Sequence, residues 1–219
     1  MIPLRSSERH YTPSTVTLIL ILINVLVFVY ELTLSRYGLN RFIAAYGMVP
    51  DRFHWSQLLT SMFIHGGFMH ILGNMWFLWV FGRGVEDLIG HGWYLAFYLV
   101  CGAIAGLIQM MVNPSSPIPT VGASGAIAGV MGGYLVKFPR ARVVTLIFIF
   151  IFITTVDLPA FVLLLYWFAI QFFSGFGSIA DSQAWQGGDV AYFAHIGGFL
   201  AGMGLIFLVP TKQRYRSWS

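Results

Sequence analysis

Apolar residues in this chain are gathered into long blocks rather than laid out as a helical stripe. The blocks lie near 14–34, 62–81, 93–112, 121–138, 158–176 and 190–210. A helix needs about 20 mainly apolar residues to cross a bilayer, so the pattern predicts six transmembrane helices. A further apolar stretch, Val143 to Val156, is set off from the next block by Asp157, Leu158 and Pro159. It is short for a span and is expected to be interfacial or only partly inserted. The remainder divides into an N-terminal tail, 1–13, a membrane domain, 14–210, and a basic C-terminal tail, 211–219. The expected class is an all-α integral membrane protein.

Composition agrees: 58% of the 219 residues are hydrophobic and 9% charged, against about 45–50% and 25% in soluble domains. Arg5, Glu8, Arg9 and His10 precede the first block and no small-residue cleavage site follows it, so it is expected to be a retained helix. The single cysteine, Cys101, excludes an intramolecular disulfide and a cysteine cage for a metal. The net charge of +4 comes from cations in short loops beside apolar blocks, where they set topology. Nucleic acid is therefore not an expected partner.

A cytoplasmic N-terminus puts Arg5, Arg9, Arg83, Lys137, Arg140, Arg142, Lys212, Arg214 and Arg216 inside, and leaves Arg36, Arg41 and Arg52 outside. The excess of inside cations favours that orientation. With six crossings the C-terminus is cytoplasmic too; a seventh, through 143–156, would carry the basic tail outward.

Polar groups at membrane depth are costly and usually face the interior of a bundle. The second block carries His65, His70 and Asn74 in HGGFMHILGN, the fourth opens with Ser124 in GASGAIAGVMGGY, and the sixth carries His195 in AHIGGFLAGM. All three helices run from outside to inside, so these residues share one outer depth. Singly, a serine in a Gly/Ala-rich helix is ordinary packing, and a membrane histidine is more often an interhelical hydrogen-bonding group. Their convergence is what points to a site.

Ser124, Ala128 and Gly132 form a small face on one helix, and His195, Gly198 and Gly202 form another. Two such faces allow close approach and would bring hydroxyl and imidazole together. Serine is a weak nucleophile until a base takes its proton, a task that suits histidine. None of the acids falls at depth on the second, fourth or sixth helix, which predicts a dyad and not a triad. Acyl transfer also needs donors for the oxyanion, and His70 and Asn74, four apart, fit. His65 would point about 140° from His70 on a regular helix and is expected to be structural.

These motifs, together with Gly82, Arg83, Gly84, Val85 and Glu86, resemble the rhomboid intramembrane serine proteases over roughly residues 55–205. The resemblance implies a six-transmembrane-helix rhomboid-like bundle with Ser124 as nucleophile and His195 as general base. His70, Asn74 and the Ser124 backbone amide would surround the oxyanion, with no metal and no cofactor. The implied reaction is hydrolysis of peptide bonds in or near transmembrane helices of other membrane proteins, close to the outer face and after a small residue. The expected partners are transmembrane protein substrates and the lipid bilayer; oligomeric state carries no signal. The expected location is multi-pass in a prokaryotic plasma (inner) membrane, with the site opening toward the outer face.

Two positions depart from the family pattern. Trp55, Ser56 and Gln57 stand where many members have Trp-Arg, and Ala128 stands where some carry a tyrosine against the histidine. Another group is therefore expected to orient His195. The loop 177–189, with Gly175, Gly177, Gly187 and Gly188 at and beside it, and the fifth helix below it read equally as a movable gate and as an ordinary flexible loop. The alternative function is a catalytically inactive rhomboid-like protein that binds membrane-protein helices. A haem or metal protein using His65, His70 and His195 is disfavoured, because no HExxH motif and no carboxylate at depth accompany them.

Overall fold

Helix α7 (Ser124–Lys137) is the axis of the bundle in the computed structural model, which describes residues 1–8, 10–149, 152–180 and 191–212. Every residue from Gly125 to Leu135 is buried, as a helix that is apolar all round requires. Around it stand α4 (Phe68–Phe77), α5 (Arg83–Ile89), α6 (His91–Val112), α8 (Ala160–Ala180) and α9 (Tyr192–Leu205). A π-helical turn, Leu78–Gly82, joins α4 to α5, so helical backbone runs unbroken from 68 to 89.

Helix α1 (Thr15–Thr33) packs against α4, α5 and α6. It buries Thr17, Leu20, Asn24, Phe28 and Glu31, three or four residues apart on one face. Most of its other aliphatic residues point the other way: Leu18, Ile19, Leu22, Val25, Leu26 and Val29 are exposed. A helix that buries its polar residues and exposes its aliphatic ones is solvated by lipid. Helices α1, α6 and α8 are each long and apolar enough to cross a membrane. The chain is an integral membrane protein, mostly helical.

The all-α expectation needs correction at one end of the bundle. Strands β1 (Ile2–Ser6), β2 (Arg142–Ile149) and β3 (Phe152–Pro159) form an antiparallel sheet in the order β1-β2-β3. Ile2 pairs with Leu146, Ser6 with Val143, and Arg142 with Pro159. The described residues of the apolar stretch 143–156 are therefore paired antiparallel strands and not a helical segment. Its β-branched residues, among them Val143, Val144, Thr145, Ile153, Thr154, Thr155 and Val156, favour a pleated backbone, and β1 supplies hydrogen bonds to the other edge of β2.

Two further elements were not legible as apolar blocks. Helix α2 (Arg36–Tyr46) buries no residue, and Ser35 caps it by accepting from the Gly38 amide. The short α3 (Gln57–Thr60) is followed by a 3-10 turn, Ser61–Phe63, before the chain reaches α4.

The end carrying the sheet is closed by two buried acids. Glu86 accepts from the backbone N–H groups of Val16 and Thr17 at 2.7 and 2.8 Å, and from the Thr17 hydroxyl at 2.6 Å. These are orphan amides of the first turn of α1, where a negative charge also meets the positive end of the helix dipole. His91 Nδ1 lies 2.6 Å from the same carboxylate. Asp87 takes the amides of Tyr11 and Thr12 and lies 3.8 Å from Lys212 Nζ. The run Gly82 to Glu86 thus does structural work: Glu86 caps α1, and a Cβ on Gly84 would sit 2.7 Å from Glu8 Oε1.

Candidate active site

At the opposite end, a cavity of about 630 Å³ is lined by His70, Asn74, Ser124 and His195, together with the apolar Phe77, Ile127, Met131 and Trp167. The four polar residues come from three helices far apart in sequence. No Asp, Glu, Lys or Arg lines it among the described residues.

Ser124 is the first residue of α7, so its backbone N–H belongs to the set that has no acceptor within the helix. The loop ahead of it is pinned at two points. Thr120 exchanges two backbone hydrogen bonds with Met48, and the Gly122 amide donates to the Ser61 carbonyl at 2.9 Å. Gly122 has φ +124°, in the region that favours glycine. A Cβ there would also lie 2.6 Å from His70 Nε2 and 3.6 Å from Asn74 Nδ2. Glycine at this position is what lets both side chains face the loop.

His70 and Asn74 share one side of α4. His70 Nδ1 accepts from the Gly66 amide at 3.4 Å, which leaves the ring proton on Nε2, the atom facing Gly122. Asn74 Nδ2 is 2.9 Å from His65 Nε2; its second proton is available to the cavity. The expected angle between His65 and His70 is corrected, since α4 begins only at Phe68 and His65 precedes it. Gly66 and Gly67 break the helix, and the two imidazoles meet edge to face with centroids 5.1 Å apart. The His65 amide in turn donates to Glu31 Oε1 at 3.2 Å. Glu31 is a support that sequence reasoning passed over; its signal was a carboxylate inside the first apolar block.

Helices α7 and α9 approach closely through glycine, although the α7 face differs from the expected one. Gly198 and Gly202 of α9 meet the carbonyls of Gly125 and Gly129, and Gly132 meets that of Phe199. On α7 the contact thus runs through Gly125, Gly129 and Gly132 in place of Ser124, Ala128 and Gly132. Ser124 is thereby turned from the seam toward the cavity.

His195, 8% exposed, is held from two sides by α8. Its Nδ1 lies 2.7 Å from Gln171 Oε1. An amide oxygen only accepts, so Nδ1 carries the proton and Nε2 is left with its lone pair. The Trp167 ring lies one turn away on α8, 5.8 Å from the imidazole at 37°. Gln109 Oε1 accepts from the Ala194 amide at 3.1 Å and caps the first turn of α9. Trp167 and Gln171 occupy the role that Ala128 leaves open. Gln109 and Gln171 carried a readable signal, an amide within an apolar block, but no motif.

Among the described residues, no hydrogen bond joins Ser124 to His195. Such bonds are commonly long without substrate and tighten in the reacting complex. Gly175 and Gly177 lie within α8 and not in a loop; residues 181–189 of that loop, and with them the choice between gate and ordinary loop, fall outside the described residues.

The arrangement offers a hydroxyl at a helix N-terminus, an imidazole with a free basic nitrogen, and two side-chain donors facing the same loop. A family model described as Rhomboid domain matches residues 52–212. The chain is 43% identical over 81 residues to Rhomboid protease GluP of Bacillus subtilis, a stretch covering 37% of this chain and 15% of that protein. It is 32% identical over 160 residues to Rhomboid-like protein 11, chloroplastic, of Arabidopsis thaliana, covering 71% and 52% respectively. Against Rhomboid protein 1, mitochondrial, of Saccharomyces cerevisiae the identity is 29% over 186 residues, covering 80% and 49%. The chain therefore spans about half or less of each of these relatives. With the motifs, the bundle around α7 and a family match over most of its length in agreement, the chain belongs to the rhomboid family.

Proposed function

We propose that this protein is an intramembrane serine endopeptidase that hydrolyses peptide bonds in or near transmembrane helices of other membrane proteins through a Ser124–His195 dyad. The observation that carries this reading is the shared cavity: Ser124 and His195 line it with His70 and Asn74, whose donor atoms face the loop before Ser124. His195 Nε2 takes the hydroxyl proton as Ser124 Oγ attacks the scissile carbonyl carbon. His70 Nε2, Asn74 Nδ2 and the Ser124 amide donate to the oxyanion that forms. The imidazolium then gives its proton to the departing amine as the C–N bond breaks. Water, deprotonated by the same nitrogen, hydrolyses the Ser124 ester and restores both residues.

The bundle is read as six crossings with both termini cytoplasmic, following the cation asymmetry, so the cavity opens toward the outer face. In a prokaryotic host that is the outer side of the plasma membrane. A helix locked in backbone hydrogen bonds must unwind before it can be cut, which favours substrates whose helices contain weakening residues.

A second reading, a catalytically inactive protein that binds membrane-protein helices, draws on the missing Ser124–His195 hydrogen bond. Labelling of the detergent-purified protein by a fluorophosphonate separates the two. Labelling lost in Ser124→Ala and in His195→Ala supports the protease; no labelling of the folded, unmodified protein supports the binding protein.

A further inference from the structure

We propose that Gln171 is a positioning residue for His195, and that it makes the base of the dyad ready only while α8 is seated against α9. This rests on the Ser124–His195 reading and adds what sets the state of the histidine.

The imidazole of His195 has two ring nitrogens, and only one can act toward Ser124. The 2.7 Å contact from Gln171 Oε1 occupies Nδ1 and requires it to be the protonated nitrogen. In a serine dyad with no carboxylate, something must fix that tautomer, and here a neutral amide does it. Trp167 fixes the ring plane from the preceding turn of the same helix. The height of His195 is set separately, by the Gln109 cap on the first turn of α9. Tautomer and ring plane therefore come from α8, whereas depth comes from α6. The other titratable groups lining the cavity are His70, on α4, and Tyr192, on α9; neither is the partner of Nδ1.

Displacing α8 would withdraw Trp167 and Gln171 from His195 together and leave the glycine seam between α7 and α9 intact. The dyad would keep its backbone positions and lose its fixed base.

The test combines a kinetic and a spectroscopic measurement. In the labelling kinetics, Gln171→Leu is expected to lower the limiting fluorophosphonate inactivation rate about tenfold or more, the range of a misplaced general base. The half-saturating probe concentration should stay within about twofold, and Gln171→Glu should restore most of the rate. In 15N NMR of histidine-labelled Ser124→Ala protein, His195 should be the Nδ1–H tautomer. That signature should be lost in the Ser124→Ala, Gln171→Leu double variant and kept in Ser124→Ala, Gln171→Glu. Unmodified labelling rates in a folded Gln171→Leu protein, or an unchanged His195 tautomer in the double variant, would overturn the proposal. The NMR arm does not need activity, so a protein that fails to label refutes the protease reading while the tautomer still decides the role of Gln171.

Discussion

Gly202 of α9 sits against the carbonyl oxygen of Gly129 on α7, so closely that a Cβ would run into it. The contact is backbone on backbone, the kind of approach that small residues permit between helices in lipid. It fixes the distance between the helices that carry His195 and Ser124. Gly202→Ala is expected to force the seam apart, at a cost of about 1–3 kcal/mol for overpacking, and to reduce fluorophosphonate labelling. Melting in detergent and labelling should fall together; full labelling at an unchanged melting temperature would show that the seam does not set the site.

The proposed oxyanion donors, His70 and Asn74, have a different signature. His70→Ala and Asn74→Ala are each expected to lower kcat about 10²–10³-fold, the usual loss for one such donor, with KM little changed. Steady-state cleavage of a transmembrane substrate measures both constants. A rise in KM at constant kcat would instead mark these residues as substrate-binding.

Glu86 is a stability prediction. Its carboxylate serves two amides and a hydroxyl of the first turn of α1 while fully buried. Glu86→Gln should destabilise by about 1.5–3 kcal/mol, the scale of hydrogen bonds to a charged group, read as a lower melting temperature. Arg52→Ala, which breaks an exposed pair with Asp51, should leave melting unchanged, as for most surface ion pairs.

His10 supplies the pH dependence. Burial and then the Arg83 guanidinium hold its imidazole below the ordinary value of 6.5. The folded state therefore disfavours the protonated form, and stability present above pH 6.5 is lost as pH falls below it. Melting temperature should decline on acidification through this window, and less steeply in His10→Gln. Equal slopes in the two proteins would remove His10 as the cause.

Orientation is tested without activity. A reporter fused after Ser219 should read cytoplasmic. In a Cys101→Ala background, Ser115→Cys, at an exposed position, should react with an impermeant maleimide from outside. The opposite pair of results would invert the bundle.

The apolar helices and the candidate site residues stand out in the sequence for one reason: a polar residue in a lipid-length apolar block is conspicuous. That criterion found His70, Asn74, Ser124 and His195. It also applied to Glu31, Gln109 and Gln171, which no motif singled out. The strands β2 and β3 were hidden because their 8-residue runs are as apolar as a helix, and only their pairing with each other and with β1 reveals the period. The α7 face was misread because three glycines at 125, 129 and 132 outcompete the Ser124, Ala128, Gly132 row for the closest approach. The entry to α4 was misread because the Gly66-Gly67 pair stops a helix that hydropathy alone would continue through His65.

Sheet and cap also impose an order on biogenesis. β1 finds its partner β2 only after residues 142–149 have been synthesised, and the first turn of α1 is made some seventy residues before the Glu86 that caps it. The pairing of β1 with β2 is therefore completed only after α4, α5, α6 and α7 have been made. Closure of that end is consequently a late step, and pairings so distant in sequence make it a slow one.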